Sequence, residues 1–257
     1  TQCAPRETRP ALHASGHLPH EVVLRINIQP IEKRDHSSDS SLEVHSVFYT
    51  IQGEGPLTGH PAIFVRLAGC NLQCPLCDTD YTSKRERMSP EALVKRVRNL
   101  HPGPRLVVIT GGEPFRQDLT LFVLLLVDED YQVQIETNGT LPPPPGFPSF
   151  EADVWLVCSP KTGKVHPDTL ARTNAWKYVL KHGDVAPDGL PLRALDHTAH
   201  PHVQRPPPGF PVGAVYVQPA DEQDASRNGR NLAAAIKSCM THGFTLQLQI
   251  HKLLGLE

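Results

Sequence analysis

No apolar run in this chain approaches the ~20 residues that a membrane-spanning helix needs. Charge of either sign is not in excess: 25 Lys and Arg stand against 27 Asp and Glu, a formal net charge of −2. That balance offers neither a basic footprint for nucleic acid nor an acidic tail. Cysteine is scarce, with six in 257 residues, far too few for a disulfide scaffold. No internal repeat is visible, and residues 1–20 are rich in His, Pro and Arg without the apolar stretch of a secretory signal. These absences leave the expectation of a cytoplasmic globular protein that binds neither nucleic acid nor membrane and has a core of its own.

Two things are unusual in what remains. The chain has 26 prolines, about twice the usual share of ~5%. They gather at Pro142–Pro145 with Pro148, and at Pro201, Pro206–Pro208 and Pro211. Proline has no N–H for a central ladder, so these stretches read as stiff surface excursions between elements. The second feature is that three of the six cysteines fall within eight residues.

Residues 1–43 read as a mobile N-terminal extension, with a possible strand at Val22–Ile28 and a solvated linker at Asp35–Ser41. A single domain is expected over 44–257. Val47–Ile51 and Ile63–Leu67 read as short strands around a Gly-rich loop. Ser89-Pro90-Glu91 predicts a helix start, with Leu93, Val94, Val97 and Leu100 on one face. Leu106–Thr110, Tyr131–Glu136, Asp153–Cys158, Trp176–Leu180, Val212–Gln218 and Phe244–Ile250 read as further strands. Leu119–Val127 and residues 225–242 read as helices. Strand and helix alternating over most of the chain predict an α/β fold with mainly parallel strands.

The cysteines form the pattern Cys70-x3-Cys74-x2-Cys77. Three soft thiolates this close need a shared soft partner. Zinc would want a fourth Cys or His; Cys3, Cys158 and Cys239 are scattered, and nothing in the spacing selects His60 or His101. A [4Fe–4S] cluster held by three cysteines leaves one iron open to a ligand. Several segments predicted to end strands carry polar exits: Thr110-Gly111-Gly112-Glu113-Pro114, Glu136-Thr137-Asn138-Gly139, Ser159-Pro160-Lys161 and Gln218-Pro219-Ala220-Asp221. Ligands of open α/β sheets bind at that edge.

The cysteine spacing together with Gly111-Gly112-Glu113-Pro114 resembles the radical S-adenosylmethionine (SAM) superfamily. The stretch Phe48-Tyr49-Thr50-Ile51-Gln52-Gly53-Glu54-Gly55, the run from Gly59 through Arg66 to Leu72, and Cys77-Asp78-Thr79 narrow the resemblance. They are similar to the 7-carboxy-7-deazaguanine synthase family, a likeness that runs from about Val44 to Glu257. It implies a shortened, modified partial (β/α) barrel of the radical SAM type. It also implies a lyase that turns 6-carboxy-5,6,7,8-tetrahydropterin into 7-carboxy-7-deazaguanine with loss of ammonia, a step of queuosine biosynthesis. The cofactors implied are a [4Fe–4S] cluster, SAM, which is regenerated, and Mg²⁺. The chemistry starts from a 5′-deoxyadenosyl radical rather than from a protein side chain.

By the same resemblance Cys70, Cys74 and Cys77 hold the cluster, and Thr79 binds Mg²⁺ between Asp78 and Asp80. Ile51, Gln52, Gly53, Arg66, Thr110 and the C-terminal Glu257 contact substrate, Arg66 through its carboxylate-matching fork. Leu76, Cys77, Asp78, Gly112, Ser159, Pro160, Lys161, Gln218, Pro219, Ala220 and Asp221 line SAM. A homodimer and an electron donor such as flavodoxin or ferredoxin are the implied partners. Two other readings stay open at this point: another radical SAM enzyme such as a glycyl-radical activase, and a zinc or electron-transfer module without chemistry of its own.

Overall fold

The computed structural model describes residues 26–35, 39–148 and 153–256. In chain order the elements are β1 (Leu42–Ile51), β2 (Pro61–Leu67), β3 (Glu86–Met88), α1 (Pro90–Leu100), β4 (Leu106–Gly111), α2 (Thr120–Asp128) and β5 (Gln132–Thr137). Then follow β6 (Val154–Cys158), α3 (Pro167–Arg172), β7 (Ala175–Leu180), β8 (Val215–Pro219), α4 (Ala225–His242), β9 (Thr245–Leu246) and α5 (Ile250–Leu254). One open sheet holds all the strands in the order β3-β1-β2-β4-β5-β6-β7-β8-β9. β1 pairs antiparallel with β2 and β3, and every pair from β2–β4 to β8–β9 is parallel. All the parallel strands therefore end on the same edge, which is the expected α/β sheet, curled but not closed.

Strand alternation sorts the side chains onto two faces. Ile63, Val65 and Leu67 of β2, Val107 and Ile109 of β4, and Val133 and Ile135 of β5 join one core. Against it lie Leu93, Val94 and Val97 of α1 and Phe122, Val123 and Leu126 of α2. Burying each such side chain fully is worth about 1.5–3 kcal/mol. A second core packs Trp176, Tyr178 and Leu180 of β7 with Val215 and Val217 of β8 against Ala235 and Cys239 of α4. On the opposite, inner face a small apolar cluster forms at the lower end, where Ala62, Leu106 and Val108 meet.

Local signals explain most element boundaries. Ser89 caps α1 by accepting from the Ala92 N–H at 3.2 Å, a contact worth about 1 kcal/mol. Leu100, expected on the buried face, is instead exposed in the last turn of α1. Val212–Ala214 forms a single 3-10 turn, so the strand expected from Val212 begins at Val215. The strand expected over Phe244–Ile250 is cut to Thr245–Leu246, and Ile250 opens α5. The reason lies in two glutamines: Gln247 Nε2 donates to Thr58 Oγ1 at 2.9 Å and Gln249 Nε2 to Glu54 Oε1 at 2.5 Å. Gln247 N–H still donates to Val217 C=O of β8 at 2.9 Å, and the two side-chain bonds tie the chain from there to the loop after β1.

Among the described residues, the crossovers β5–β6 and β7–β8 contain no α-helix. The two proline-bearing stretches occupy these places. Of the predicted N-terminal strand, residues 26–28 belong to no strand or helix, and residues 22–25 lie outside the described residues.

Candidate active site at the strand ends

The cysteine loop follows β2 and is braced from beneath by backbone. Gly112 N–H donates to Leu67 C=O at 3.3 Å, and Glu113 N–H to Gly69 C=O at 3.1 Å. A Cβ on Gly112 would lie 2.0 Å from the Gly69 carbonyl oxygen, so only glycine lets β4 press this close to the loop. The glycine thus serves the loop's own backbone first. Glu113 is fully buried and accepts from Thr137 Oγ1 at 2.7 Å, Asn138 N at 2.8 Å and Phe115 N at 3.1 Å. Asn138 Nδ2 then donates to Asn71 Oδ1 at 2.9 Å, and Asn71 Nδ2 to Thr140 Oγ1 at 2.8 Å. The ends of β4 and β5 are in this way tied to the segment between Cys70 and Cys74.

Cys70 and Cys74 are buried, Cys77 is half-buried, and none is in a disulfide. Burial pushes the Cys70 thiol up to about 12 and the Cys74 thiol to about 11; it raises Cys77 as well. Such thiols stay protonated at neutral pH unless a metal replaces the proton. Among the described residues no three His, Cys, Asp or Glu side chains converge on a single metal ion. In a [4Fe–4S] cluster each thiolate binds its own iron, and three free cysteines are the donor set that such a cluster takes. The ammonium of Lys161 is near enough to favour the Cys74 and Cys77 thiolates, and it donates to Ser159 O at 2.8 Å and Oγ at 2.6 Å. Ser159 N–H in turn donates to Thr137 C=O at 2.8 Å, joining the end of β6 to that of β5.

The inner face becomes polar toward the same edge. Arg66 stands beside Thr110 in the β2–β4 register, its guanidinium 5.1 Å from the Phe48 ring centroid. Glu136 of β5 and Glu54 of the loop after β1 both receive the ammonium of the buried Lys177 on β7; the Glu136 contact is 3.1 Å. Gln52 Nε2 and Gln134 Nε2 donate to Glu136 Oε1 at 3.1 and 3.0 Å. Burial alone would raise the Glu54 carboxyl, but Lys177 overcomes it and holds the group at about 2. For Lys177 burial acts downward and the two carboxylates win, raising its affinity for the proton. Gln218 of β8 is buried with its Oε1 unpartnered.

The remaining predicted residues fall around this floor. Gln52 has its main chain committed, N–H to His60 C=O and C=O to Gly59 N–H, both at 2.8 Å. Its neighbour Gly53 is covered by the His251 ring of α5, where a Cβ would meet Nδ1 at 1.9 Å. Lys252 of α5 reaches Asp221 at 3.2 Å and Asp78 at 3.5 Å, so the C-terminal helix spans two residues expected to line SAM. Ala220 and Pro219 lie at the end of β8, with Ala220 N–H on Leu180 C=O at 2.8 Å. Leu76 N–H donates to Leu195 C=O at 3.4 Å. Pro160 is buried beside Ser159, and Ile51 ends β1. Asp80 is spent locally, accepting from Thr82 N and Ser83 N at 2.9 and 3.0 Å. Glu257 lies outside the described residues.

Sequence reasoning left out Lys177, His251 and Leu195. A lone lysine in an otherwise apolar strand (Ala175-Trp176-Lys177-Tyr178-Val179-Leu180) was the available signal, because burying an unpaired charge is costly. Leu195 and Asp196 both have left-handed backbones, φ 49° and 56°, unusual for residues with a Cβ. Asp196 is held there by Lys181 at 2.9 Å. The excursion between β7 and β8, read from its prolines as a surface connector, therefore touches the cysteine loop.

The chain is similar to known proteins over most of its length. The family model of the Radical SAM superfamily matches residues 65–152, from β2 past β5. The 7-carboxy-7-deazaguanine synthase of Rhodospirillum rubrum is 41% identical over 88% of this chain and 97% of its own. That of Rickettsia prowazekii is 38% identical over 85% of this chain and 90% of its own. The crystal structure of QueE from Escherichia coli superposes with a TM-score of 0.60 at 25% identity, covering 81% of this chain and 93% of that one. No helix among the described residues is long and apolar enough to cross a membrane. With cysteine loop, glycine brace and near full-length identity in agreement, the chain belongs to the 7-carboxy-7-deazaguanine synthase family of radical SAM enzymes.

Proposed function

We propose that this protein converts 6-carboxy-5,6,7,8-tetrahydropterin to 7-carboxy-7-deazaguanine and ammonia; the names of its relatives give the product. The observation that carries this reading is the pairing of a three-thiol loop with a polar inner face holding Arg66, Thr110, Glu136 and Lys177 beneath it. A small, charged, hydrogen-bonding substrate fits that floor better than the backbone of a protein to be activated. When bound, the [4Fe–4S] cluster and SAM supply the radical chemistry.

The chain's own residues bind and orient. Cys70, Cys74 and Cys77 hold the cluster. Leu76, Gly112, the Ser159–Lys161 segment and the Gln218–Asp221 segment surround SAM, with Lys252 tying Asp221 to Asp78. Arg66 takes the substrate carboxylate in a bidentate grip. Lys177 sets the Glu54 and Glu136 carboxylates, and these accept from the amino and ring N–H groups of the pterin. Gly53 and Ile51 offer the main-chain groups that Gln52 has already used. Thr79 supplies a hydroxyl ligand to Mg²⁺, a metal that prefers oxygen and borrows further ligands from its substrate. The working form is a cytoplasmic homodimer fed by flavodoxin or ferredoxin.

Anaerobic reconstitution followed by iron, sulfide and zinc analysis tests the site. Four irons and four sulfides per chain, with SAM cleaved on reduction, are expected for such a cluster. A zinc-only protein overturns the reading.

A further inference from the structure

Residues 26–35 lie along the outside of the cysteine loop, and their polar groups reach each of its cysteine segments. Glu32 N–H donates to Cys70 C=O at 2.7 Å, next to a parallel bridge between Ile31 and Cys70. Asn27 donates twice, from its N–H to Pro75 C=O at 2.9 Å and from Nδ2 to Cys74 C=O at 3.1 Å. Gln29 takes the segment after Cys77: its Nε2 donates to Thr79 C=O at 2.9 Å, and its Oε1 accepts from Tyr81 N at 2.8 Å. One carboxamide thus imitates a rung of a β-ladder. Gln73 Nε2 answers by donating to Gln29 C=O at 2.6 Å.

The far end of the segment is fixed to the brace beneath the loop. Asp35 N–H donates to Arg116 C=O at 2.8 Å, Arg116 Nη1 to Lys33 C=O at 3.2 Å, and Glu32 pairs with Arg85 at 2.6 Å. Apolar burial does not explain why this stretch is where it is. Ile26, Ile28 and Ile31 are 70%, 87% and 63% exposed. A segment that leaves its isoleucines in water and spends its amides on one loop is positioned by that loop, and positions it in return.

The loop's own bonds close its base and one turn: Gly69 N–H donates to Tyr81 C=O at 2.9 Å, Tyr81 Oη to Leu72 C=O at 3.4 Å and Cys77 N–H to Cys74 C=O at 3.2 Å, while Leu76 N–H leaves toward Leu195. Without the segment, the carbonyls of Cys70, Pro75 and Thr79 would lose these donors and the loop would sample other conformers, as weakly bonded loops do. We propose that residues 27–32 form a clamp that holds the three-cysteine loop in its ligand-binding conformation. Asn27 and Gln29 are its positioning residues, each acting through the loop backbone.

The clamp rests on reading the cysteines as cluster ligands, and its test separates the two. Full-length Asn27→Ala, Gln29→Ala and Gln29→Glu proteins are compared with wild type and with Ile28→Ser, a change in the same segment at a side chain that is 87% exposed. Hydrogen exchange is read before reconstitution. After it, the readouts are the rate of iron loss to a chelator and the electron paramagnetic resonance spectrum of the reduced cluster with and without SAM. In both alanine variants the 70–81 amides exchange about tenfold faster and iron leaves about tenfold faster, the scale of one or two net hydrogen bonds. Their reduced spectra broaden, while the amides of β5 to β8 keep wild-type exchange. Gln29→Glu, which keeps the acceptor but loses the donor to Thr79, falls between, and Ile28→Ser matches wild type. Wild-type exchange at 70–81 and wild-type iron loss in both alanine variants overturn the clamp. A wild-type protein that takes up no iron refutes the cluster reading instead, and the exchange data then still decide whether the clamp exists.

Discussion

Lys177→Met is the most informative single change to the site floor. Lys177 is 7% exposed and its ammonium sits between the carboxylates of Glu54 and Glu136, whose side chains are 13% and 15% exposed. Methionine fills nearly the same volume but strands two buried carboxylates side by side. Breaking a buried ion pair from one side costs about 3–5 kcal/mol, because the surviving charge keeps its desolvation penalty. For a chain of this size each kcal/mol moves Tm by about 2–4 °C, so a drop of about 6–20 °C is expected. The pH profile gives an independent check of sign. In wild type the Glu54 carboxyl is held at about 2, below its ordinary 4.5. Its stabilisation is therefore complete above about pH 4.5 and is lost as pH falls toward 2. Lys177 is raised above its ordinary 10.5, so its contribution is complete below that pH and is lost as pH climbs beyond it. In Lys177→Met mild acid should instead stabilise, by neutralising the stranded carboxylates. Thermal melts of the variant at pH 5 and pH 8 measure the loss and its relief in mild acid, wild-type melts at pH 3 and pH 11 read the two limbs just named, and the triple change Lys177→Met, Glu54→Gln, Glu136→Gln should recover most of the loss. A Lys177→Met protein within about 1 kcal/mol of wild type, with an unaltered pH slope, would refute the buried-pair reasoning.

Three further outcomes are expected. Any one of Cys70→Ala, Cys74→Ala or Cys77→Ala abolishes iron binding and SAM cleavage, whereas Cys158→Ala and Cys239→Ala leave iron content at the wild-type level; elemental analysis decides. Thr79→Ala weakens Mg²⁺ dependence and slows turnover while iron content stays whole, and loss of iron would make Thr79 a structural residue. Gly112→Ala places a methyl 2.0 Å from the Gly69 carbonyl oxygen and costs about 1–3 kcal/mol as the loop is pushed off its brace. A denaturation midpoint equal to wild type would show that the contact has slack.

The fold was legible where burial writes a local pattern. Leu106–Thr110 is apolar on both faces because helices cover one side of β4 and the inner face the other, and it folds as a central strand. Ser89 and Pro90 announce α1 through capping chemistry that acts over one turn. The site was legible as motifs at strand ends because parallel strands bring all those ends to one edge. What local sequence does not encode is contact across the sheet. Glu54 and Lys177 are 123 positions apart, and neither has a neighbour in sequence that betrays the other. The alternation from Phe244 to Ile250 looked like a strand, but Gln247 and Gln249 found partners in the site and bent it. Asn27 and Gln29 alternate with isoleucines in a stretch that reads as a strand, and only their hydrogen bonds to Cys74, Pro75 and Thr79 reveal what they hold. The prolines did mark excursions, yet one excursion carries Leu195 to the cysteine loop through two left-handed residues that no composition signals.

The central claim, a ring-contracting lyase built on this loop and floor, is tested most directly by one incubation. Reconstituted protein is given 6-carboxy-5,6,7,8-tetrahydropterin, SAM, Mg²⁺ and a reductant without oxygen, and the products are separated. The account predicts 7-carboxy-7-deazaguanine and ammonia in equal amounts, with SAM recovered intact. Cleavage of SAM with no deazaguanine formed would contradict it.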